Sequence, residues 1–156
     1  MTIAIIKFVR QPDSDTEVQL PEYKTADASG ADIRANLPMN SRLHGLDLFP
    51  NKPQLIPTGL SVQIPQRLEI QIRPRSGLAL RNAVTIINSP GTIDSDYRGE
   101  IGIIMINLGK KTFHISHGDR IAQIVVVPII QASFELVESL EESDRASHGF
   151  GSTGIS

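Results

Sequence analysis

Two carboxylates in one short segment are the residues best placed for acid–base chemistry. Asp94 and Asp96 lie two positions apart, with Gly91 before them and Gly99 after them. On a strand their side chains would share a face, whereas in a turn they need not. One of them could orient a water molecule and take its proton as a general base. A solvated hairpin turn is the alternative, and this segment alone does not decide between the two.

Arg75, Ser76 and Gly77 combine a guanidinium, a hydroxyl and a glycine at the end of a predicted strand. A short helix is predicted to start there, and the free N–H groups of a helix amino terminus suit an anion. Because Arg75 and Ser76 add further donors, the segment predicts a phosphate site. An ordinary serine cap beside a surface arginine is the alternative interpretation.

A second segment that suits phosphate lies near the carboxyl terminus. Three glycines between positions 149 and 154 let backbone amides approach an anion closely, and Ser152 and Thr153 add hydroxyl donors. Phe150 lies between two of these glycines and could stack on a flat ring. A disordered tail is the alternative interpretation.

Four other polar residues could contact a ligand. Asn88 offers a donor and acceptors to the edge of a nucleobase, and Tyr97 could pack against a sugar. Gln123 is an amide in an otherwise apolar strand and needs hydrogen-bond partners there. Asp32 follows Gly30 at the start of a predicted strand. The alternatives are core or interface packing for Tyr97, a structural hydrogen bond for Gln123 and a turn for Asp32.

Short strands separated by turns are the elements that would position these side chains. The chain is rich in isoleucine and has 12 glycines and 10 prolines spread along it. Apolar and polar residues alternate in Leu60–Ile64 and Leu68–Arg73, as they do in half-buried strands. Ile101–Leu108 and Ile121–Val127 are almost continuously apolar, which predicts strands covered on both faces.

Two more strands are predicted at Ile3–Val9 and Ser133–Val137, and one short helix at Ser76–Asn82. Many short strands at spacings of about ten residues are typical of an all-β sandwich or barrel. After Val137 the chain becomes acidic and then rich in glycine and serine. We therefore expect residues 1–137 to form one domain, and residues 138–156 to form an arm outside the core of its own subunit.

Composition excludes several classes of function. The chain of 156 residues has no cysteine, which excludes disulfides, thiol catalysis and cysteine-ligated metal sites. Its net charge of −2 argues against a non-specific nucleic-acid binder. The amino terminus does not resemble a secretory signal, and no apolar run approaches the ~20 residues of a membrane helix. We expect a cytoplasmic protein with neither nucleic acid nor membrane as a partner.

Five segments occur together in an order that resembles the five motifs of the trimeric dUTPases (deoxyuridine triphosphate nucleotidohydrolases). Each segment combines glycine with charged or hydroxyl residues beside a predicted strand. The segments are Ala28–Ile33, Pro74–Ala79, Asn88–Glu100, Gly118–Ile124 and Arg145–Gly154. The sequences PRSGLA, NSPGTIDSDYRGE and RASHGFGSTG are specific, and the resemblance covers the chain from about Thr25 to Gly154.

The resemblance implies a jelly-roll subunit with one short helix and a mobile C-terminal tail. It also implies a homotrimer with three active sites at subunit boundaries. One subunit would supply Asp32, Arg75, Ser76 and Gln123. A second subunit would supply the hairpin from Asn88 to Gly102, and a third would fold its tail, Arg145–Gly154, over the site.

The implied reaction is hydrolysis of dUTP to dUMP and diphosphate, by in-line attack of water at the α-phosphorus. It would keep uracil out of DNA and supply dUMP for thymidylate synthesis. Asp94 would be the catalytic residue, and Mg²⁺ the cofactor, held mainly by the triphosphate with Asp32 acting through water. The implied substrate-binding residues are Arg75, Ser76, Gly77, Asn88, Thr92, Ile93, Tyr97, Gly102, Gln123, Arg145, Phe150, Gly151, Ser152 and Thr153.

Two other functions stay open at this point. A dCTP deaminase of the same fold would also bind a triphosphate but would attack the base. The segment Asp94–Tyr97 and the PRSGLA sequence favour the hydrolase over that deaminase. A non-catalytic jelly-roll module would bind a nucleotide or a protein partner and would release no diphosphate.

Overall fold

The computed structural model describes residues 4–143 and 146–147. These residues form ten strands, one α-helix, α1 (Ser76–Asn82), and one 3-10 helix at Met39–Ser41. The strands are β1 (Lys7–Arg10), β2 (Ala31–Arg34), β3 (Leu46–Leu48), β4 (Gln54–Gln63), β5 (Leu68–Arg73), β6 (Val84–Ile86), β7 (Gly91–Ile93), β8 (Glu100–Asn107), β9 (Phe113–Ile115) and β10 (Arg120–Pro128). The predicted all-β class with one short helix is confirmed. Among these described residues, no helix has the length and apolar character needed to cross a membrane.

Two antiparallel four-stranded sheets pack on each other as a jelly-roll-like sandwich. The first sheet has the order β1-β4-β8-β6 and the second the order β2-β10-β5-β7, while β3 and β9 form a small third sheet. The core between the two large sheets is rich in isoleucine and includes Ile56 and Ile103 from the first and Ile33 and Ile70 from the second. Burial of these apolar side chains is the main stabilising contribution to such a sandwich.

Two predicted elements, β5 and α1, match the structure residue for residue. In β5 burial follows the alternating sequence, with Ile70 and Ile72 buried. The helix ends at Asn82, and the residue after it, Ala83, has a left-handed φ of 54° and donates its N–H to the carbonyl of Ala79. β8 and β10 lie within one residue of their predicted bounds at each end.

The strand predicted at Ser133–Val137 is wrong. These residues have no regular secondary structure, and Phe134 and Leu136 are almost fully exposed. A short apolar segment forms a strand only where another strand pairs with it, and none does so within the described part of this chain. The strand predicted at Ile3–Val9 begins only at Lys7, where pairing with β4 begins.

The apolar sequence of β8 predicted a strand covered on both faces, but only one face of β8 is covered. Burial alternates along it, so that Ile101 and Ile103 are buried while Ile104 is 37% exposed. Opposite Ile104 on β4, Leu55 is 62% exposed. The outer face of the first sheet therefore keeps an apolar surface that residues 4–143 and 146–147 leave uncovered.

Candidate active site

Asp32 and Gln123 are brought side by side by the pairing of β2 with β10. The register places them directly opposite each other, so that their side chains share a face. Gln123 Nε2 donates a hydrogen bond to Asp32 Oδ1 at 3.3 Å. Gly30 leaves room for this amide, because a Cβ at that position would lie 3.2 Å from the Gln123 side chain. The half-buried amide in the apolar strand thus has the hydrogen-bond partner that it needs.

The carboxylate of Asp32 is buried between two arginines. Its side chain is 5% exposed, and Arg120 Nη1 donates to its Oδ2 at 2.9 Å. Arg75 Nε lies 3.3 Å from Oδ1, and Arg75 Nη1 donates to the backbone carbonyl of Arg120 at 2.7 Å. A buried carboxylate needs such partners because desolvation disfavours its charge. We call Asp32, Arg75, Arg120 and Gln123 the aspartate cluster; Arg120 is its one member that the sequence analysis did not assign.

Ser76 and Gly77 form the start of α1, directly after Arg75. The N-cap residue is Arg75, which has an extended backbone and makes no side-chain cap hydrogen bond. The alternative interpretation of Ser76 as an ordinary cap is therefore wrong, and the exposed Ser76 is accessible to a ligand. A Cβ at Gly77 would lie 2.6 Å from the Arg81 guanidinium, so the glycine leaves space for that side chain to lie along the first turn.

A second group of predicted residues lines a cavity of about 180 Å³, which we call the Asp94 cavity. Its lining consists of Thr92, Ile93, Asp94, Tyr97, Glu100, Ile101 and Gly102. Asp94 directly follows β7 and is exposed. Tyr97 is fixed at both ends, because its hydroxyl donates to the Glu100 carbonyl at 2.9 Å and its N–H donates to the Asp94 carbonyl at 3.1 Å. The structure therefore places five predicted site residues around one space.

Size alone does not identify this cavity as the site. A larger cavity of about 630 Å³ lies beside Arg67, Ser95 and Ile130. Of the residues that line it, only Ser95 lies in a predicted site segment, Asn88–Gly102, and none is among the implied catalytic or substrate-binding residues. The chemistry of the lining therefore decides in favour of the Asp94 cavity.

The segment from Asn88 to Gly102 is not the paired hairpin that the resemblance implied. β7 pairs with β5, whereas β8 pairs with β4 and β6, so the segment crosses from the second sheet to the first. Asn88 is exposed and does not line the Asp94 cavity. Its amide lies beside Gly91 instead, where a Cβ would lie 3.2 Å from Asn88 Nδ2.

The aspartate cluster and the Asp94 cavity lie far apart on one chain. Gln123 on β10 pairs with Asp32 on one side and with Arg73 of β5 on the other, so Asp32 and Arg73 lie at the same level of the sheet. Ile93, the residue before Asp94, pairs with Ile70, which lies three residues before Arg73 on β5. Asp94 is therefore displaced from Asp32 by three strand spacings across the sheet and four residues along it. Strand geometry converts these steps to about 14 Å and about 13 Å, or about 20 Å in all. Side chains at both positions of one chain cannot contact the same phosphate.

The tail residues implied as a lid lie outside the described residues. They are Arg145, Phe150, Gly151, Ser152 and Thr153. From residue 129 to residue 143 the chain has no helix or strand, and it exposes Ile130, Phe134 and Leu140. The division into a domain of residues 1–137 and an arm of residues 138–156 stays a prediction.

Glu22 adds a carboxylate next to the aspartate cluster. Its carbonyl accepts a hydrogen bond from the N–H of Asp32 at 3.0 Å. A hydrogen bond from Lys24 lowers the pKa of the Glu22 carboxyl, and the charges of Lys24, Arg34 and Arg120 lower it further, while desolvation opposes them. Glu22 therefore stays ionised at neutral pH.

Comparisons with known proteins place the chain in a family. A family model described as dUTPase matches residues 16–154. The deoxyuridine 5'-triphosphate nucleotidohydrolase of Roseobacter denitrificans is 57% identical over 99% of each chain. The protein of that name from Dinoroseobacter shibae is 49% identical, over 96% of this chain and 97% of its own. The chain belongs to the dUTPase family.

Solved structures share the fold. The dUTPase of Staphylococcus bacteriophage 80alpha, solved with dUpNHpp, has a TM-score of 0.81 and 24% identity, over 97% of this chain and 99% of its own. A mutant dUTPase from phage phi11 of S. aureus, described with a structural Mg(II) ion, has a TM-score of 0.73 and 22% identity, over 88% and 99%. At these identities the likeness establishes the jelly-roll fold.

Proposed function

We propose that the chain hydrolyses dUTP to dUMP and diphosphate. Membership of the dUTPase family supports this activity, as do two relatives of 57% and 49% identity that bear its name. The observation that carries the proposal is the Asp94 cavity, where Thr92, Ile93, Tyr97 and Gly102 surround a space beside an exposed carboxylate. Such a reaction would keep uracil out of DNA and supply dUMP for thymidylate synthesis.

Asp94 is the general base in this proposal. Unlike Asp32, it forms no ion pair among the described residues. A carboxylate without such a partner can orient a water molecule and accept its proton. The water oxygen attacks the α-phosphorus in line, and the bond from that phosphorus to the bridging oxygen breaks. The electrons of that bond leave with the diphosphate, and the proton of the water goes to Asp94.

The aspartate cluster would hold the triphosphate. Arg75 and Gln123 present N–H donors there, and Ser76 and Gly77 follow on the same turn of chain. A guanidinium suits phosphate because its fork of donors matches the phosphate oxygens. The tail would close the site, with the γ-phosphate and the base contacted by Arg145, Phe150, Gly151, Ser152 and Thr153.

Mg²⁺ is the proposed cofactor, carried by the triphosphate. Within residues 4–143 and 146–147, no group of three or more acidic, histidine or cysteine side chains could hold a metal ion. Both oxygens of Asp32 already face arginine or amide donors, so this carboxylate fits a contact through water better than direct ligation. Such a donor set fits an ion that keeps several waters and binds mainly substrate phosphates. When bound, it would neutralise charge on the phosphate oxygens.

The segment around the Asp94 cavity would select dUTP over its relatives. Cytosine presents a donor where uracil presents an acceptor, so Asn88 and nearby backbone groups would be mispaired. A mismatch of this kind can exclude a substrate by ~10⁴–10⁵-fold. Close packing at Thr92, Ile93 and Gly102 would exclude the thymine methyl. Tyr97, held by two hydrogen bonds, would leave no room for a 2′-hydroxyl.

We propose that complete sites form between the subunits of a homotrimer. Asp32 and Asp94 lie about 20 Å apart in one chain by strand geometry. A site that uses both aspartates therefore needs Asp32 from one copy of the chain and Asp94 from another. The exposed Leu55 and Ile104 provide an apolar face for contact between copies. Covering that face would also account for the apolar residues on both sides of β8. The tail of a third subunit would complete each site.

A diphosphate-release assay across dUTP, dTTP, dCTP and UTP in the presence of Mg²⁺ tests the activity. We expect diphosphate from dUTP and little from the other three nucleotides. Release of ammonia from dCTP would support the deaminase instead. Failure to release diphosphate from dUTP would leave a binding module of the same fold.

A further inference from the structure

Arg120 faces the aspartate cluster because of an irregularity in β10. In a regular strand, residues three positions apart point to opposite faces, so that Arg120 would point away from Gln123. The register with β2 shifts between Arg120 and Ala122. This bulge adds one residue and returns Arg120 to the face that carries Gln123 and Asp32. Bulges that re-aim a side chain in this way are frequent beside active sites.

Arg120 makes two different contacts with the cluster. Its guanidinium donates to Asp32 Oδ2 at 2.9 Å, and its backbone carbonyl accepts the Nη1 donor of Arg75 at 2.7 Å. Arg75 Nε lies 3.3 Å from the other oxygen of the same carboxylate. Each oxygen of Asp32 therefore faces a different arginine.

This arrangement determines how much of the Arg75 guanidinium stays available. A carboxylate pairs most strongly with an arginine when both of its oxygens accept parallel hydrogen bonds from one guanidinium. Arg120 occupies Oδ2 of Asp32, so Arg75 can approach only Oδ1. Its Nη1 is taken by the Arg120 carbonyl, and its Nη2 makes no hydrogen bond within the described ranges. The Nη2 group of Arg75 is therefore left to contact a phosphate.

We propose that Arg120 is a positioning residue for the triphosphate end of the substrate, which it serves by holding Asp32 away from bidentate pairing with Arg75. The inference rests on the proposed function, since it needs Arg75 to bind phosphate. Without the Arg120 guanidinium, Asp32 would turn to Arg75 with both oxygens and withdraw it from the substrate. Contacts to uracil and deoxyribose at the Asp94 cavity would stay unchanged.

Binding of dUpNHpp and of dUMP to the full chain, with Mg²⁺ present, tests this role by calorimetry. In Arg120→Gln, affinity for dUpNHpp should fall by at least about tenfold, the usual effect of losing one charge-assisted contact. Affinity for dUMP should stay within about twofold, because dUMP lacks the β- and γ-phosphates. Equal losses for both ligands, or no loss for dUpNHpp, would overturn the inference.

Arg34→Gln is the matched control, because Arg34 pairs with Arg120 across the ladder and lies on the same face. Its guanidinium donates to the Gly118 carbonyl and to Gln19, not to Asp32 or Arg75. This variant should bind both ligands within about twofold of the unchanged chain. A loss of dUpNHpp affinity in the control equal to that in Arg120→Gln would show a general charge effect and overturn the inference.

Arg120→Lys keeps one charged donor for Asp32 Oδ2 and leaves the backbone carbonyl in place. It should restore most of the dUpNHpp affinity lost in the glutamine variant, and a loss as large as that of Arg120→Gln would contradict a positioning role. The proposed function fails separately, if the unchanged chain releases no diphosphate from dUTP. When the unchanged chain is active and Arg120→Gln binds dUpNHpp normally, only the inference about Arg120 fails.

Discussion

The aspartate cluster and the Asp94 cavity hold their carboxylates in opposite environments. Asp32 is 5% exposed, with a different arginine on each oxygen. Asp94 is exposed and forms no ion pair among the described residues. A carboxylate held by two arginines keeps its charge and fixes its neighbours, whereas an unpaired one is free to orient a reacting water and accept its proton. In the proposed function, burial and pairing therefore distinguish Asp32, which would position its neighbours, from Asp94, which would react.

Asp94→Asn should have the largest effect on the reaction. The amide keeps the shape of the side chain but cannot take a proton, so turnover should fall by ~10²–10⁴-fold. Binding of dUpNHpp and the melting temperature should not change. Steady-state release of diphosphate measures the loss. Turnover within about threefold of the unchanged chain would show that another group is the base.

Asp32→Ala should instead reduce stability, because it leaves Arg75 and Arg120 without their shared carboxylate. Breaking a buried ion pair costs ~3–5 kcal/mol, which the partial exposure of both arginines reduces to about 2 kcal/mol. The melting temperature should therefore fall by several degrees. Thermal melting with Asp94→Asn as the matched control checks this result. Equal melting temperatures for the two variants would show that Asp32 stabilises the fold no more than Asp94 does.

Deletion of residues 145–156 should reduce turnover at least about tenfold, since a lid aligns the reacting groups and excludes water. The segment contains few apolar residues, so melting temperature and sedimentation should hardly change. A much lower melting temperature, or dissociation, would make the tail structural. Full activity would contradict the roles of Arg145, Phe150, Ser152 and Thr153.

Tyr97→Ala should relax the choice of sugar at the Asp94 cavity. The ring is the large group expected against C2′, so the ratio of kcat/KM for dUTP to kcat/KM for UTP should fall. Tyr97→Phe is the control, because it keeps the ring and loses only the hydrogen bond to the Glu100 carbonyl. A ratio unchanged in Tyr97→Ala would place the sugar selection elsewhere.

Glu22→Gln should have the smallest effect, visible only in the pH dependence of stability. The pKa of Glu22 is lowered in the folded chain, first by the hydrogen bond from Lys24. Its contribution to stability is therefore present above the unfolded pKa and is lost as the pH falls through the folded pKa. The melting temperatures of the unchanged chain and of Glu22→Gln should differ only slightly at neutral pH, because the Glu22–Lys24 pair is exposed. The two values should converge in acid, where Glu22 is protonated. A difference that grows in acid would contradict this sign.

Local patterns were enough to predict some elements in full. Alternation in Leu68–Arg73 and the composition of Ser76–Asn82 are clear local signals for β5 and α1, and the partners that β5 needs, β10 and β7, are present in the fold. The apolar sequence of Ile101–Leu108 predicts apolar surroundings on both faces of β8, but it does not identify what covers the outer face. Ser133–Val137 has the composition of a strand, and no neighbouring strand pairs with it among the described residues.

The residues of the candidate site could be proposed from the sequence, but the contacts between them could not. Asp32, Arg75 and Gln123 come from separate parts of the chain, and only the register of β2, β10 and β5 brings them together. Arg120 was missed because its spacing from Gln123 predicts opposite faces in a regular strand. A bulge reverses that parity, and no local residue pattern marks it. The available signal was a second charged residue in the motif that contains Gln123.

The distance between Asp32 and Asp94 within one chain has a genetic consequence. In the proposed trimer, a chain damaged at one of these aspartates still supplies the other one, intact, to a site it shares with a neighbour. Two alleles that are each inactive, one altered at Asp32 and one at Asp94, would therefore complement each other when expressed together. Two alleles that are both altered at Asp32, or both at Asp94, would not complement each other.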